Sequence, residues 1–441
     1  MFINSPLPLW LLCATVLTSH SAFAVESKSQ THPAPTLKIA ENSSTLTLQK
    51  AMTKALAQSP RLQAFKSRLA MAKGEQQQAG AWSNPEVGIE AENIGGKGTY
   101  KGIDSAELTY GISQEIQMGG KISARETIAG VGLEIASLAQ QAAALDVMQE
   151  VTIAYTQAVA AEENVRLATE QKALAQDVLE SVRIRVGAAA APLIQQSRAE
   201  VELSSASIAL DTARREREIA SQKLATVLGE EKAEWILESA DFYAVTALEV
   251  LDADAKLKAN PDLAALHAQL AQSKGKLELE RATAIPDPRV NLGVRDFRSS
   301  NEQAFVLGVS LPIPVFNANG GNIQKARSEI QKTEQENEYA ALSLRAELIN
   351  AQQQGENAYL RVQTLRKEVL PSAEKAFGLA RTGYGLGRFP YLEVLDAQRS
   401  LFGVKQQHIA ALTDFHTAKA QIDRLTAARL SQLQKSGENH E

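Results

Sequence analysis

The sequence predicts an α+β chain: long antiparallel, coiled-coil-like helical hairpins carrying two β-hairpins, four strands in all. Three observations predict it. Turn residues recur in two halves of the chain, four short segments alternate strictly in polarity, and proline-free stretches run far beyond what a globular domain needs.

Composition supports rods over globules. A chain of 441 residues would ordinarily form roughly two to four globular domains. Here aromatics are only 5%, so large aromatic cores are excluded. The formal net charge of -5, from 46 Lys+Arg and 51 Asp+Glu, gives no footprint for nucleic acid. The single cysteine, Cys13, excludes a disulfide framework and a thiolate zinc site.

Residues 1–24 read as a secretory signal peptide. Leu7 to Leu17 is largely apolar, and Ala22-Phe23-Ala24 is a small-x-small site, so cleavage is expected after Ala24. The n-region departs from the pattern in having no Lys or Arg. Cys13 lies inside the apolar run, which argues against lipidation and removes the cysteine from the mature chain. No later segment has 18 uninterrupted apolar residues, so no transmembrane helix is expected, while a β-route into a membrane stays open.

The repeat sets the organisation. Ser59-Pro60-Arg61-Leu62 matches Asn260-Pro261-Asp262-Leu263, and Asn84-Pro85-Glu86-Val87 matches Asp287-Pro288-Arg289-Val290. Gly119-Gly120 matches Gly320-Gly321. Gly187, Pro192, Ala199 and Leu203 match Gly385, Pro390, Ala397 and Leu401 at one spacing of 198. A flexible leader, 25–45, precedes the first repeat, 46–230, with its hairpin at 84–116 and long helices over 121–229. A connector, 231–259, leads to the second repeat, 260–430, with its hairpin at 287–315 and long helices over 321–430. Residues 431–441 form a tail.

The strands are read from period two. Val87, Ile89 and Ala91 alternate with Glu86, Gly88, Glu90 and Glu92 in 85–92. Leu108, Tyr110 and Ile112 alternate with Glu107, Thr109, Gly111 and Ser113 in 107–113. The same holds for Val290, Leu292 and Val294 in 290–295, and for Phe305, Leu307, Val309 and Leu311 in 304–311. Such alternation predicts half-buried strands whose polar faces meet water, of a length that suits a tilted membrane strand. A surface hairpin packed on helices has the same pattern.

The helices are read from what is missing. From Lys121 to about Arg185 there is no proline, and at 1.5 Å per residue such a run approaches ~100 Å. Ala199, Leu203, Ala206, Leu210 and Ala213 step as a heptad seam; Ala397, Leu401, Val404 and Ala411 continue it in the second half, interrupted by His408.

Four strands cannot close a barrel, and lipid does not tolerate an open edge, so a membrane role needs several copies: two, three and four copies give 8, 12 and 16 strands. Glycines at Gly119, Gly120, Gly320 and Gly321 suit the sharp strand-to-helix turns, because glycine takes positive φ without strain. Pro312 and Pro314 end the fourth strand.

These features together resemble the TolC-type outer-membrane efflux proteins, over nearly the whole mature chain. Several stretches look like the heavy-metal branch, the outer component of cobalt-zinc-cadmium resistance systems. They are Asn84-Pro85-Glu86-Val87, Glu92-Asn93-Ile94-Gly95-Gly96, Gly119-Gly120-Lys121 with Arg125, and Leu311-Pro312-Ile313-Pro314-Val315-Phe316 before Gly320-Gly321. The resemblance implies a homotrimer with a 12-stranded barrel in outer-membrane lipid and a helical tunnel crossing the periplasm. It implies two further partners, a periplasmic adaptor (membrane fusion protein) and an inner-membrane RND-type pump that supplies the energy. The chain itself would be a passive, gated conduit and not an enzyme, with no cofactor.

Candidate sites follow. The helix-hairpin tips, Val186-Gly187-Ala188 and Tyr384-Gly385-Leu386-Gly387, are read as helix stops before Pro192 and Pro390. In the family such tips meet the adaptor, which makes Val186, Gly187, Gly385, Leu386 and Gly387 the expected docking residues. Glu393 and Asp396 are i and i+3, neighbours on one helix face. The family carries paired acids here at the periplasmic entrance, so three copies would form a cation-attracting ring of carboxylates. The first repeat has Gln195 and Arg198 at these places, so one pair per chain is expected. A solvated helix face is the plain alternative.

Metal ligation by this chain finds no motif. His32, His267, His408, His416 and His440 include no i, i+4 pair, and no phosphate loop, catalytic triad spacing or dinucleotide fingerprint is present. Drugs, organic solutes or proteins as cargo would suit the same architecture. A periplasmic coiled-coil scaffold without a pore is the reading from another class.

Overall fold

The computed structural model describes residues 45–249 and 252–429. The expected signal segment with its cleavage after Ala24, residues 25–44 of the leader, His32, His440 and the tail all lie outside the described residues.

The first half begins with β1 (Thr45–Leu46), α1 (Leu48–Gln58) and α2 (Pro60–Ala79). Thr47 caps α1 by accepting from the Lys50 amide at 3.2 Å, and Pro60 opens α2, where its missing N–H is harmless. The first hairpin is β2 (Glu86–Glu92) and β3 (Glu107–Glu115). It feeds α3 (Lys121–Gly187), 67 residues without a break and so about 100 Å long, which turns back into α4 (Leu193–Leu228). The connector contributes β4 (Ile236–Leu237), α5 (Ala240–Tyr243) and α6 (Ala253–Leu257). The second half has α7 (Pro261–Thr283), a hairpin of β5 (Arg289–Phe297) and β6 (Glu302–Ser310), then α8 (Gly320–Thr364), α9 (Leu370–Gly385) and α10 (Tyr391–Leu425).

The second long helix is not continuous as expected. A π-helical turn, Leu365–Val369, separates α8 from α9. Pro371 explains it: proline has no N–H to donate and its ring crowds the carbonyl four residues back, so the chain widens by one residue there. The first half carries Ala173 at the equivalent place and stays α-helical.

One stretch of α3 is apolar enough, by length and composition, to cross a membrane. Only 22% of that stretch is buried, although α3 as a whole packs along α2, α4, α7 and α10. The seam predicted from heptads lies inward: Ala199, Ala206, Leu210 and Ala213 are buried, as are Leu401, Val404 and Ala411. The main core lies midway along α3, where Val151, Tyr155, Val159, Leu224, Leu228, Phe242 and Leu412 meet. There β1 and β4 pair in parallel, and the Tyr155 hydroxyl lies 2.9 Å from the Leu46 carbonyl and 2.8 Å from that of Glu238. The fully buried Asn260 ties the two ends of the second half together. Its side-chain oxygen accepts from the Asp262 amide at 2.7 Å, and its nitrogen donates to the Leu425 carbonyl at 2.7 Å.

The two hairpins form one antiparallel sheet in the order β2-β3-β5-β6. Glu86, Ser113, Arg289 and Ser310 lie at its helix end; Glu92, Glu107, Phe297 and Glu302 lie at the far end.

Candidate functional site

The sheet has two chemically opposed faces. Val87, Ile112, Leu292 and Leu307 form one cross-strand row, and Ile89, Tyr110, Val294 and Phe305 the next. Among the described residues nothing covers this apolar face: Val87 is 82% exposed and Phe305 93%. The expectation of half-buried strands therefore needs correction. Neither face of the sheet is covered by the described residues, so the alternation does not separate a core of this chain from water. Leaving such a face in water forfeits roughly 2 kcal/mol for each large side chain, so it suits an apolar surrounding. Nine-residue strands span about 30 Å untilted, and less when tilted, which matches an apolar membrane layer.

The other face is charged. Glu86, Glu90, Glu92, Glu107, Glu115 and Glu302 share it with Arg289 and Arg295, so acid predominates. Arg295 joins three strands, 2.8 Å from Glu92 and 3.1 Å from Glu107, and donates to Thr109 Oγ1 at 2.9 Å. Arg289 sits 2.7 Å from Glu86 and 3.6 Å from Glu115. Pairs this open to solvent add little stability each, but they favour the observed strand register.

The sheet-to-helix turns differ between the halves. Gly119 (φ 72°) and Gly120 (φ 80°) both take the left-handed conformation. A Cβ on Gly119 would sit 2.8 Å from Ile285 Cδ1 and 3.1 Å from the Ala282 carbonyl, so glycine is required there twice over. In the second half the left-handed residue is Asn319 (φ 59°), while Gly320 and Gly321 are ordinary first residues of α8. Asn319 tolerates this conformation because its amide donates to the Glu280 carbonyl at 2.8 Å and Glu280 Oε2 at 2.7 Å. The match of Gly120 with Gly321 is thus corrected: Gly120 and Asn319 are the equivalent N-caps.

The helix-hairpin tips are equivalent to each other. Gly187 and Gly385 are the last helical residues, and the left-handed positions are Ala189 (φ 54°) and Gly387 (φ 71°). The expected glycine stop at Gly187 is therefore displaced two residues, onto an alanine. The Ala190 amide reaches back to the Arg185 carbonyl, and the Arg388 amide to that of Gly383, both at 2.8 Å; inside them the Ala189 amide donates to the Val186 carbonyl at 3.0 Å and the Gly387 amide to that of Tyr384 at 2.9 Å, the double closure of a Schellman motif at each tip. Pro192 and Pro390 cap the returning helices.

Contacts between the tips were not visible in the sequence. Arg185 donates to the Tyr384 carbonyl at 2.5 Å and stacks 4.6 Å from the centroid of its ring. Burial pushes the Tyr384 hydroxyl above its ordinary pKa, against the pull of Arg185. Gly383 lies under Phe389, where a Cβ would come within 2.1 Å of the ring. Ile184, Leu193, Ile194, Leu386 and Leu392 remain exposed around the tips.

Glu393 and Asp396 stand exposed in the first two turns of α10, on one face beside exposed Leu392. The structure does not pair either with a cation of the same chain among the described residues. The adjacent Arg399 is engaged elsewhere, 2.8 Å from the buried Glu202. Among the described residues no group of three or more His, Cys, Asp or Glu side chains is placed to hold a metal ion.

Comparison with known proteins agrees with this geometry. The family model described as outer membrane efflux protein matches residues 51–230 and 253–428. The cobalt-zinc-cadmium resistance protein CzcC of Cupriavidus metallidurans is 30% identical over 383 residues, covering 86% of this chain and 90% of CzcC. The nickel and cobalt resistance protein CnrC of the same organism is 27% identical, covering 62% of this chain and 65% of CnrC. Among solved structures, the outer-membrane channel OprN superposes with a TM-score of 0.75 at 19% identity, covering 86% of this chain and 89% of OprN. The chain belongs to the outer membrane efflux protein family.

Proposed function

We propose that three copies of this chain form the outer-membrane conduit of a tripartite efflux system that exports heavy-metal cations. The observation that carries the reading is the four-stranded sheet, with its apolar face bare, its other face acidic and both edges unpaired among the described residues, continuing into a helix about 100 Å long. Three sheets joined edge to edge give twelve strands, leave no open edge, and turn the apolar face to lipid. The acidic face then lines the lumen and raises the local concentration of cations. The metal cargo is supported by the likeness to CzcC and CnrC.

In this reading the helices build a tunnel through the periplasm, and the chain is a conduit without reaction chemistry. The tips carrying Val186, Gly187, Gly385, Leu386 and Gly387 meet a periplasmic adaptor, for which the exposed apolar side chains around them are suited. An RND-type pump in the inner membrane supplies the energy. Glu393 and Asp396 from three copies form the carboxylate ring of the periplasmic gate.

The test is a chromosomal deletion complemented by the intact gene. Loss of tolerance to zinc, cobalt or cadmium, restored by the gene, is the expected result. Unchanged metal tolerance with new sensitivity to organic solutes overturns the cargo. Failure of the purified protein to conduct ions across a planar bilayer overturns the conduit and favours the scaffold.

A further inference from the structure

The segment Leu311–Phe316 follows the last strand, yet nothing among the described residues covers it. Leu311, Ile313 and Val315 are exposed and Phe316 is fully so. Pro312 and Pro314 deny the segment two ladder donors, so it does not extend the sheet. A second bare apolar group stands across the sheet. Trp82, between α2 and β2, is 67% exposed and borders an open cleft of about 480 Å³ lined also by Glu75, Gln78, Gln117 and Arg125.

Topology decides which surface meets which. The free edges are β2 and β6, and they run in opposite directions. Pairing β2 with β2 of another copy in antiparallel fashion would invert that copy and send its helices to the other side of the sheet. Pairing β6 with β2 of the next copy keeps the antiparallel alternation and all helices on one side. In that arrangement the helix end of β6, at Ser310, lies beside the helix end of the neighbour's β2, at Glu86. The chain just after β6 then meets the chain just before β2.

We propose that Leu311–Phe316 of one copy seats in the cleft beside Trp82 of the next copy, an apolar clasp closing the base of the barrel between protomers. The inference rests on the oligomeric barrel reading and adds the side chains that join its subunits. Burying Phe316 and Val315 against Trp82 removes large exposed apolar groups at the helix end of the sheet from water. Arg125 is fixed at the cleft wall by its bond to Gln117 Oε1 at 2.6 Å and to the Ala79 carbonyl at 3.3 Å, so the wall is formed before the partner arrives.

The test is disulfide trapping in native membranes, using the full chain with Trp82→Cys and Phe316→Cys together. Trp82 precedes edge strand β2 and Phe316 follows the opposite edge strand β6, and these edges lie about 14 Å apart by strand spacing, while a disulfide needs Cα atoms within about 7 Å. A bond therefore forms only between copies. The expected result is a shift of most chains to covalent dimers and larger species on non-reducing gels, absent from each single variant and restored as dimer when the single variants are co-expressed. A control pair, Ile89→Cys with Phe305→Cys, is bridged by a flexible bismaleimide. Control bridging between copies without the clasp disulfide overturns the clasp and leaves the barrel, the result expected if this segment rests in lipid. Absence of both crosslinks overturns the barrel reading itself.

Discussion

The Lys121 ammonium lies 2.6 Å from Asp287 Oδ2 and 2.6 Å from the Ile285 carbonyl, while Asp287 Oδ1 accepts from the Met118 amide at 2.7 Å. One residue opens the longest helix, and the other leads into the second hairpin. Both side chains are largely buried, so the pair locks the two repeats together at the junction of sheet and helices. Removing the carboxylate leaves a buried cation with one neutral partner. We expect Asp287→Ala to destabilise the protein by about 3 kcal/mol. Thermal melting of the detergent-solubilised protein checks this, and Lys121→Met with Asp287→Leu should recover most of the loss.

Two alanines hold the left-handed conformation where the other repeat has glycine. Ala189 stands opposite Gly387, and Ala427 (φ 52°) opposite Gly229 (φ 78°). An L side chain in that region costs about 1 kcal/mol. Ala189→Gly and Ala427→Gly should each raise stability by a large part of this, less glycine's extra freedom when unfolded. Gly387→Ala should lower it. Equal melting temperatures for all three variants would contradict the assigned turn geometry.

At the tips, Arg185→Ala removes both the bond to the Tyr384 carbonyl and the stacking on its ring. A loss of about 2 kcal/mol is expected, and Arg185→Lys should restore only part, since an ammonium cannot stack as a planar guanidinium does. Gly383→Ala displaces Phe389. If the tips receive an adaptor, both variants weaken its capture in pull-down assays while single-channel conductance stays unchanged.

The carboxylate pair gives a separable prediction. Glu393→Ala with Asp396→Ala should loosen the closed state, raising conductance several-fold and reducing cation preference. The measurement is single-channel recording under a salt gradient. Unchanged conductance in the double variant removes these residues from the gate.

His416 introduces a pH dependence at the core level. Burial pushes its imidazole below the usual value, against the Phe242 carbonyl that its Nε2 meets at 2.9 Å; Lys419 lowers it further and Asp241 opposes. His408 is also pushed down, by burial first and then Arg366. The unfolded chain therefore binds protons more readily than the folded one as pH falls through the ordinary histidine range. Stability is full above about pH 6.5 and declines below it, towards the depressed folded value. Melting between pH 7.5 and pH 5.5 tests the sign, and His416→Gln should flatten the slope.

Much of this architecture is written locally. Alternation marks all four strands of the larger sheet, because side chains in a strand point to opposite faces whatever lies beyond them. Pro60, Pro192, Pro261 and Pro390 mark helix starts, because the constraint on φ belongs to proline itself. The seam residues Ala199, Ala206 and Leu210 are legible for the same reason: spacing on a helix is fixed by its pitch.

What the chain could not declare by itself depends on where distant segments meet. Period two is blind to whether an apolar face finds a core within the chain or stays uncovered, and the exposure of Val87 and Phe305 shows that it stays uncovered. The turn at Asn319 is set by the Glu280 contacts, not by the glycines that follow. Lys121 finds Asp287 and Arg185 finds Tyr384 across more than 160 residues of sequence. Local sterics act within a few residues and can be read in order; these pairings exist only once two repeats lie side by side, because charge and packing act through space.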